Sequence, residues 1–180
     1  MPRPLPLALL ALALASAACA KPASPPEGGP TAGGWIAFQG TWSAAGERHT
    51  LHLGPDRQAS VASLTGSLLL SGERGLGVGF RARAVVFSDT KTGGVGRCVW
   101  TDDRGDEVFS EITGGPVAEG HRIVGTIVGG TGRYEGATGE YRFRWQFVIE
   151  TEEGLVQGRA VGFEGRVRVG AAPADGGEAR

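Results

Sequence analysis

Disulfide chemistry is the first thing this chain lacks. It has two cysteines, Cys19 and Cys98. Cys19 lies where export would remove or lipidate it, so no intramolecular bridge is expected. A surplus of charge is also missing, with 18 basic residues against 19 acidic ones. That excludes the concentrated basic face of a nucleic-acid binder. No apolar run is long enough to cross a bilayer. The longest, Leu5 to Ala17, is 13 residues and at helical rise spans about 20 Å of a core roughly 30 Å thick. The three histidines offer no metal-ligand spacing, since His49 and His52 stand on opposite faces of a strand. The acidic turn Asp102, Asp103, Asp106, Glu107 lacks the ligand spacing of a calcium loop and reads as a solvated hairpin turn. There is no Gly-x-Ser-x-Gly elbow and no Gly-Lys-Ser/Thr phosphate loop. Nothing in the sequence brings Glu111 and Glu135 together as an acid–base pair. No catalytic residue, metal or cofactor is therefore assigned.

Glycine is what the chain has in excess: 32 of 180 residues, against a usual share of roughly 7 %. The excess lies in the body of the chain rather than in its ends. Gly inside a helix costs about 1 kcal/mol relative to Ala, so a helical protein is disfavoured. No Gly-X-Y period is present, which excludes collagen. The apolar residues instead recur with a period of two, which marks half-buried strands. Tyr141, Phe143, Trp145, Phe147 and Ile149 face one way, with Arg142, Arg144, Gln146 and Val148 facing the other. Val161, Phe163, Gly165, Val167 and Val169 repeat the pattern, and Ile36, Phe38 and Trp42 are in phase on the first strand.

Strands are expected over 35–44, 49–53, 60–71, 77–88, 95–101, 107–113, 122–129, 140–151 and 155–169. Turn signals such as Gly54-Pro55-Asp56 and Glu152-Glu153-Gly154 separate them. Short connections imply antiparallel neighbours. The expected fold is all-β, a single antiparallel barrel of eight to nine strands, with a β-sandwich as the alternative. Gly40, Gly66, Gly125 and Gly162 fall inside strands, where a closing barrel needs sharp bends; this favours the barrel.

Residues 1–20 read as a secretory signal peptide. Arg3 supplies the positive charge, Leu5 to Ala17 the apolar stretch, and Ala18-Cys19-Ala20 a small-residue cleavage site. The same segment reads a second way. Ser16-Ala17-Ala18-Cys19 is similar to a bacterial lipoprotein box with Ser in place of the usual Leu, which makes Cys19 a lipidation candidate and a membrane tether. Residues 21–33, rich in Pro, Gly and Ala, read as a flexible linker. Residues 34–170 read as the barrel domain and 171–180 as a disordered tail. The expected location is periplasmic or secreted, with lipid anchoring if Cys19 is modified. Cys98 alternates in phase with Trp100 and is expected to be a buried small hydrophobe.

The most distinctive stretch is Gly129-Gly130-Thr131-Gly132-Arg133-Tyr134-Glu135-Gly136-Ala137-Thr138-Gly139. A dinucleotide fingerprint needs another spacing and a following helix; here a strand follows. The reading is a tight turn with Tyr134 folded back as a plug on the barrel end. This stretch resembles the late-strand signature of the allene oxide cyclase and dirigent barrel superfamily. Gly96-Arg97-Cys98-Val99-Trp100-Thr101-Asp102-Asp103-Arg104-Gly105-Asp106 is similar to a motif of exported bacterial proteins of that barrel type. The resemblance implies an eight-stranded antiparallel barrel with an apolar lumen, commonly a homotrimer. It places no catalytic residue of those enzymes on a matching position.

Trp100, Phe109, Tyr134, Tyr141, Phe143, Trp145 and Phe147 are the lumen candidates. They form either a packed core or the wall of a pocket for an apolar small molecule. The leading functional expectation is an exported non-catalytic barrel that binds a small apolar ligand or serves a structural role in the envelope. The alternative is a cyclase- or dirigent-like protein that steers a reactive hydrophobic intermediate.

Overall fold

A computed structural model describes residues 34–72, 79–116 and 121–170. The expected signal peptide (1–20) with Cys19, the expected linker (21–33) and tail (171–180), and positions 77 and 78 lie outside the described residues. Eight strands follow in chain order: β1 Ile36–His52, β2 Gln58–Gly72, β3 Gly79–Asp89, β4 Gly93–Thr101, β5 Glu107–Gly114, β6 Arg122–Gly130, β7 Thr138–Glu150 and β8 Leu155–Arg168. Each pairs antiparallel with the next, and β1 pairs with β8 to close the barrel. Closure leaves no row of unpaired backbone groups along an edge.

The strand count settles at eight because the expected segments 35–44 and 49–53 are one strand. The residues between them continue the ladder with β2, from Ala45↔Thr65 through Arg48↔Ala62. The polar run Gly46-Glu47-Arg48 hides the alternation, but backbone pairing does not require apolar side chains.

Parity along the strands holds until a bulge resets it. On β8, Gly162 and Phe163 together oppose Phe143, since Arg142 pairs with Glu164 and Arg144 with Val161. Gly162 has φ +66°, a left-handed conformation suited to Gly at a bulge. Before it Val156, Gly158 and Ala160 face inward; after it Phe163 and Val167 do. Val161 is therefore out of phase with Phe163, contrary to the sequence reading. A second bulge, at Val148 on β7, sets Gly158 opposite Phe147 and Gln157 opposite Ile149. It turns Ile149 out to solvent, 45 % exposed. A third places the extra residue Val128 on β6 opposite the Phe109–Ser110 step of β5.

The inward faces meet in one aromatic core. Trp100 packs against Tyr141 (ring centroids 5.0 Å apart), Phe80 (6.1 Å), Phe163 (6.1 Å) and Phe38 (6.4 Å). Tyr141 lies flat over Gly125, its partner across β6–β7. A Cβ at Gly125 would fall within the phenol ring, so the missing side chain is the slot the ring occupies. The outer wall carries cross-strand ion pairs, Arg142 Nε to Glu164 at 2.8 Å and Arg166 Nε to Glu140 at 2.9 Å. Both are solvent-exposed, and such pairs contribute little to stability.

Candidate functional site

The barrel has two unlike ends. At one end the connection after β6 forms a single 3-10 turn, Gly132–Tyr134, which folds the Tyr134 ring into the lumen mouth. Tyr134 is 1 % exposed, with its ring 5.8 Å from that of Phe80. Asp102 holds the plug in place. Its carboxylate accepts the Arg104 and Asp106 backbone N–H groups at 2.8 and 3.0 Å and Arg133 Nε at 2.7 Å. The Arg133 guanidinium then covers the Tyr134 ring, 5.1 Å from its centroid. Burial alone would raise the Asp102 carboxyl, but these bonds outweigh it and hold the group below its ordinary range. Burial pushes the Tyr134 phenol up to about 12. The turn read as solvated from the sequence thus supplies a buried anchor. Acidic composition shows that a turn is polar, and the partner that buries this one arrives from 31 residues downstream.

Behind the plug the lumen is filled. The residual space among Trp42, Cys98, Trp100, Tyr141 and Phe163 is about 10 Å³, at the limit for a single water. Ser110 and Tyr141 satisfy one another there through a 2.8 Å hydroxyl–hydroxyl bond. Burial pushes the Cys98 thiol up to about 12. The thiolate is the reactive form, so Cys98 should resist iodoacetamide at pH 8 in the folded protein and label fully in denaturant. Peptide mass spectrometry reads this, and rapid labelling of the native protein would contradict the burial.

The other end is open. Between the β1–β2, β3–β4, β5–β6 and β7–β8 connections lies a cavity of about 300 Å³. Its apolar wall is Trp42, Phe143, Trp145, Phe147, Leu64 and Val156, and its rim carries Arg48, Ser60, Ser88, Asp89 and Glu150. The wall is continuous: Trp42 and Trp145 are 5.1 Å apart by ring centroid, Trp145 and Phe147 6.1 Å, and the Arg48 guanidinium lies 5.3 Å from the Phe147 centroid. Arg48 Nη1 donates to Glu150 at 2.6 Å. Asp89 is saturated by Arg57 Nε at 2.9 Å and by the Lys91 and Thr92 N–H groups. Those bonds, led by Arg57, hold its carboxyl below the usual range. Among the described residues Trp42 Nε1, Trp145 Nε1 and Arg48 Nε are buried without a partner at this end, as is the Tyr134 hydroxyl at the plugged end. A buried donor without an acceptor costs about 1–3 kcal/mol.

The lumen candidates thus divide by depth. Phe143, Trp145 and Phe147 line the cavity; Trp100 and Tyr141 lie in the filled half; Tyr134 is the plug. Phe109 is a correction, since it is on the outer face. β4–β5 register pairs Trp100 with Val108 and Val99 with Phe109, and directly opposed residues share a face. With Trp100 inward, Val108 is inward too and Phe109 is not. Trp42 and Arg48 went unassigned as site residues in the sequence. Trp42 showed its parity with Phe38, but parity gives a face and not a depth. Arg48 gave no signal, because it sits in the polar stretch where the strand was expected to break. Glu111 and Glu135 do not meet: Glu111 pairs with Arg97 on the outer wall at 3.0 Å, and Glu135 is exposed. Among the described residues no group of three His, Cys, Asp or Glu side chains could hold a metal ion. A broader concavity of about 870 Å³ lies along the outer wall beside Arg142 and Glu164, where the charges already have partners.

No protein-family model, curated protein or solved structure matches the chain.

Proposed function

We propose that this protein is an exported, non-catalytic barrel that holds one small apolar molecule in the open half of its lumen. The observation that carries the reading is the cavity of about 300 Å³ behind an aromatic wall, a volume at the lower end for small-molecule sites. An eight-stranded barrel has room inside for its side chains or for one small ligand, and this barrel divides that space between the two. Export rests on the signal-peptide pattern of residues 1–20. The likeness of the Gly129–Gly139 stretch to barrels with an apolar lumen supports the same reading.

Ala62 lines the cavity and offers the direct test. Ala62→Phe places a ring in existing space, so it should abolish binding of an apolar probe such as naphthalene while leaving the unfolding midpoint within a few degrees. Equilibrium dialysis and thermal denaturation read the two effects. Equal binding by both proteins, or no binding by either, would rule out the lumen as the site.

A further inference from the structure

The outer wall matches its charges across the strands, and at one place it does the reverse. Arg142 stands opposite Glu164, Arg166 opposite Glu140 and Arg97 opposite Glu111, and each of these pairs forms a bond. On the β6–β7 ladder Arg122 stands directly opposite Arg144. Both are exposed, and neither meets a carboxylate among the described residues. Like charges directly opposed in a sheet are destabilising. The two guanidinium groups border a shallow cleft of about 360 Å³, together with Arg142, Val161 and Gly162. Its lining holds no acidic residue. The β8 bulge gives the cleft its opening: a Cβ on Gly162 would meet nothing within 4 Å. Glu164 lies beside the cleft and is bound to Arg142. Three cations therefore stand here against one carboxylate, on a chain whose formal net charge is -1.

We propose that this cleft is a binding site for a phosphoryl group, held between Arg122 and Arg144 with Arg142 at its side. The site is on the outside of the barrel and does not depend on what the lumen holds. Charge selects the ligand. A phosphomonoester carries about -1.5 to -2 at pH 7, which matches the two unbalanced cations; a carboxylate carries -1 and leaves one cation unmet. Geometry agrees with charge. A guanidinium presents its N–H donors as a flat fork that fits two phosphate oxygens at once, and a phosphomonoester has three terminal oxygens to share between two forks. Two groups that repel one another in the bare wall become joint donors to one dianion.

Titration of the nitrogen-15-labelled full mature protein with inorganic phosphate and with acetate, at constant ionic strength in chloride, tests the assignment. The arginine Nε–H resonances report the site. Those of Arg122 and Arg144 should move with phosphate, while that of Arg81, exposed on β3, should stay. Phosphate should bind at least about tenfold more tightly than acetate. Arg122→Gln and Arg144→Gln should each weaken phosphate binding by about tenfold. In chloride alone each variant should melt no lower than the unaltered protein, because the substitution relieves a repulsion. Equal affinity for phosphate and acetate overturns the site, as does an equal shift at Arg81 or phosphate binding that survives both substitutions. A variant that melts lower in chloride overturns it too, since the arginines would then be held by the protein itself. Co-sedimentation with phosphatidylcholine vesicles, with and without phosphatidic acid, separates the sources of the phosphoryl group. Sedimentation that needs phosphatidic acid and is lost in Arg144→Gln assigns it to a lipid headgroup. Phosphate binding without sedimentation assigns it to a soluble phosphomonoester.

Discussion

Trp100→Ala is expected to lower the unfolding free energy by about 3–5 kcal/mol, the range for removing a large aromatic side chain from a core. Trp100 is 2 % exposed and touches four other rings. It borders a space too small for anything beyond one water. Its removal opens a cavity whose walls are eight antiparallel strands, each held on both sides, and a closed barrel cannot collapse inward without breaking its ladders. The cavity term therefore stays near its full value. Trp145→Ala gives the contrast. Trp145 already faces the 300 Å³ space, so its loss enlarges an existing void and should cost about half as much. Urea denaturation of the two variants checks the order. Equal losses would mean that the two halves of the lumen are packed alike.

Asp102→Ala is expected to cost about 2–4 kcal/mol at pH 7, because it strips two backbone N–H groups and the Arg133 guanidinium of their acceptor at once. For a domain of this size the melting temperature should fall by about 10 °C. The effect has a pH signature. The folded carboxyl lies below its ordinary value of 3.8, so its contribution is complete above about pH 4. It is lost as pH falls from there through the folded value. The gap between the unaltered protein and Asp102→Ala should therefore narrow as pH drops from 5 toward 2. Asp102→Asn keeps the shape and some accepting capacity, and should show a smaller loss at neutral pH. A gap that does not change with pH would show that the charge of Asp102 does not hold the plug. Hydrogen exchange adds the location: amides of the Gly132–Tyr134 turn should lose protection before those of β7.

The sequence made the fold legible wherever a strand ran without interruption. Tyr141, Phe143 and Trp145 all face inward because β7 carries no extra residue before Val148 and keeps simple parity up to it. Past Val148 the same rule sends Ile149 to the wrong face, and across Gly162 it does the same to Val161. A bulge is set by how two strands meet, and that information is spread over both of them. Phe109 shows a related limit: its own strand does not say which face is inward, and its partner Val99 assigns it outward. The site was harder to see than the fold. Its wall comes from the same aromatic stripe as the core, and only depth along the barrel separates the two uses. Trp145 faces open space and Tyr141 does not, although they share a strand and a face. Asp102 and Arg133 are 31 residues apart, and their meeting depends on barrel closure that no local pattern encodes.

The plug has a practical corollary. The described chain enters the barrel at Ile36 and leaves it after Arg168, and the register pairs Ile36 with Val167. Both points lie at the end that Tyr134 stoppers. A tag appended at either terminus would therefore connect to the barrel at its stoppered end. The point where the described chain joins the barrel would then lie a strand's length from the open end.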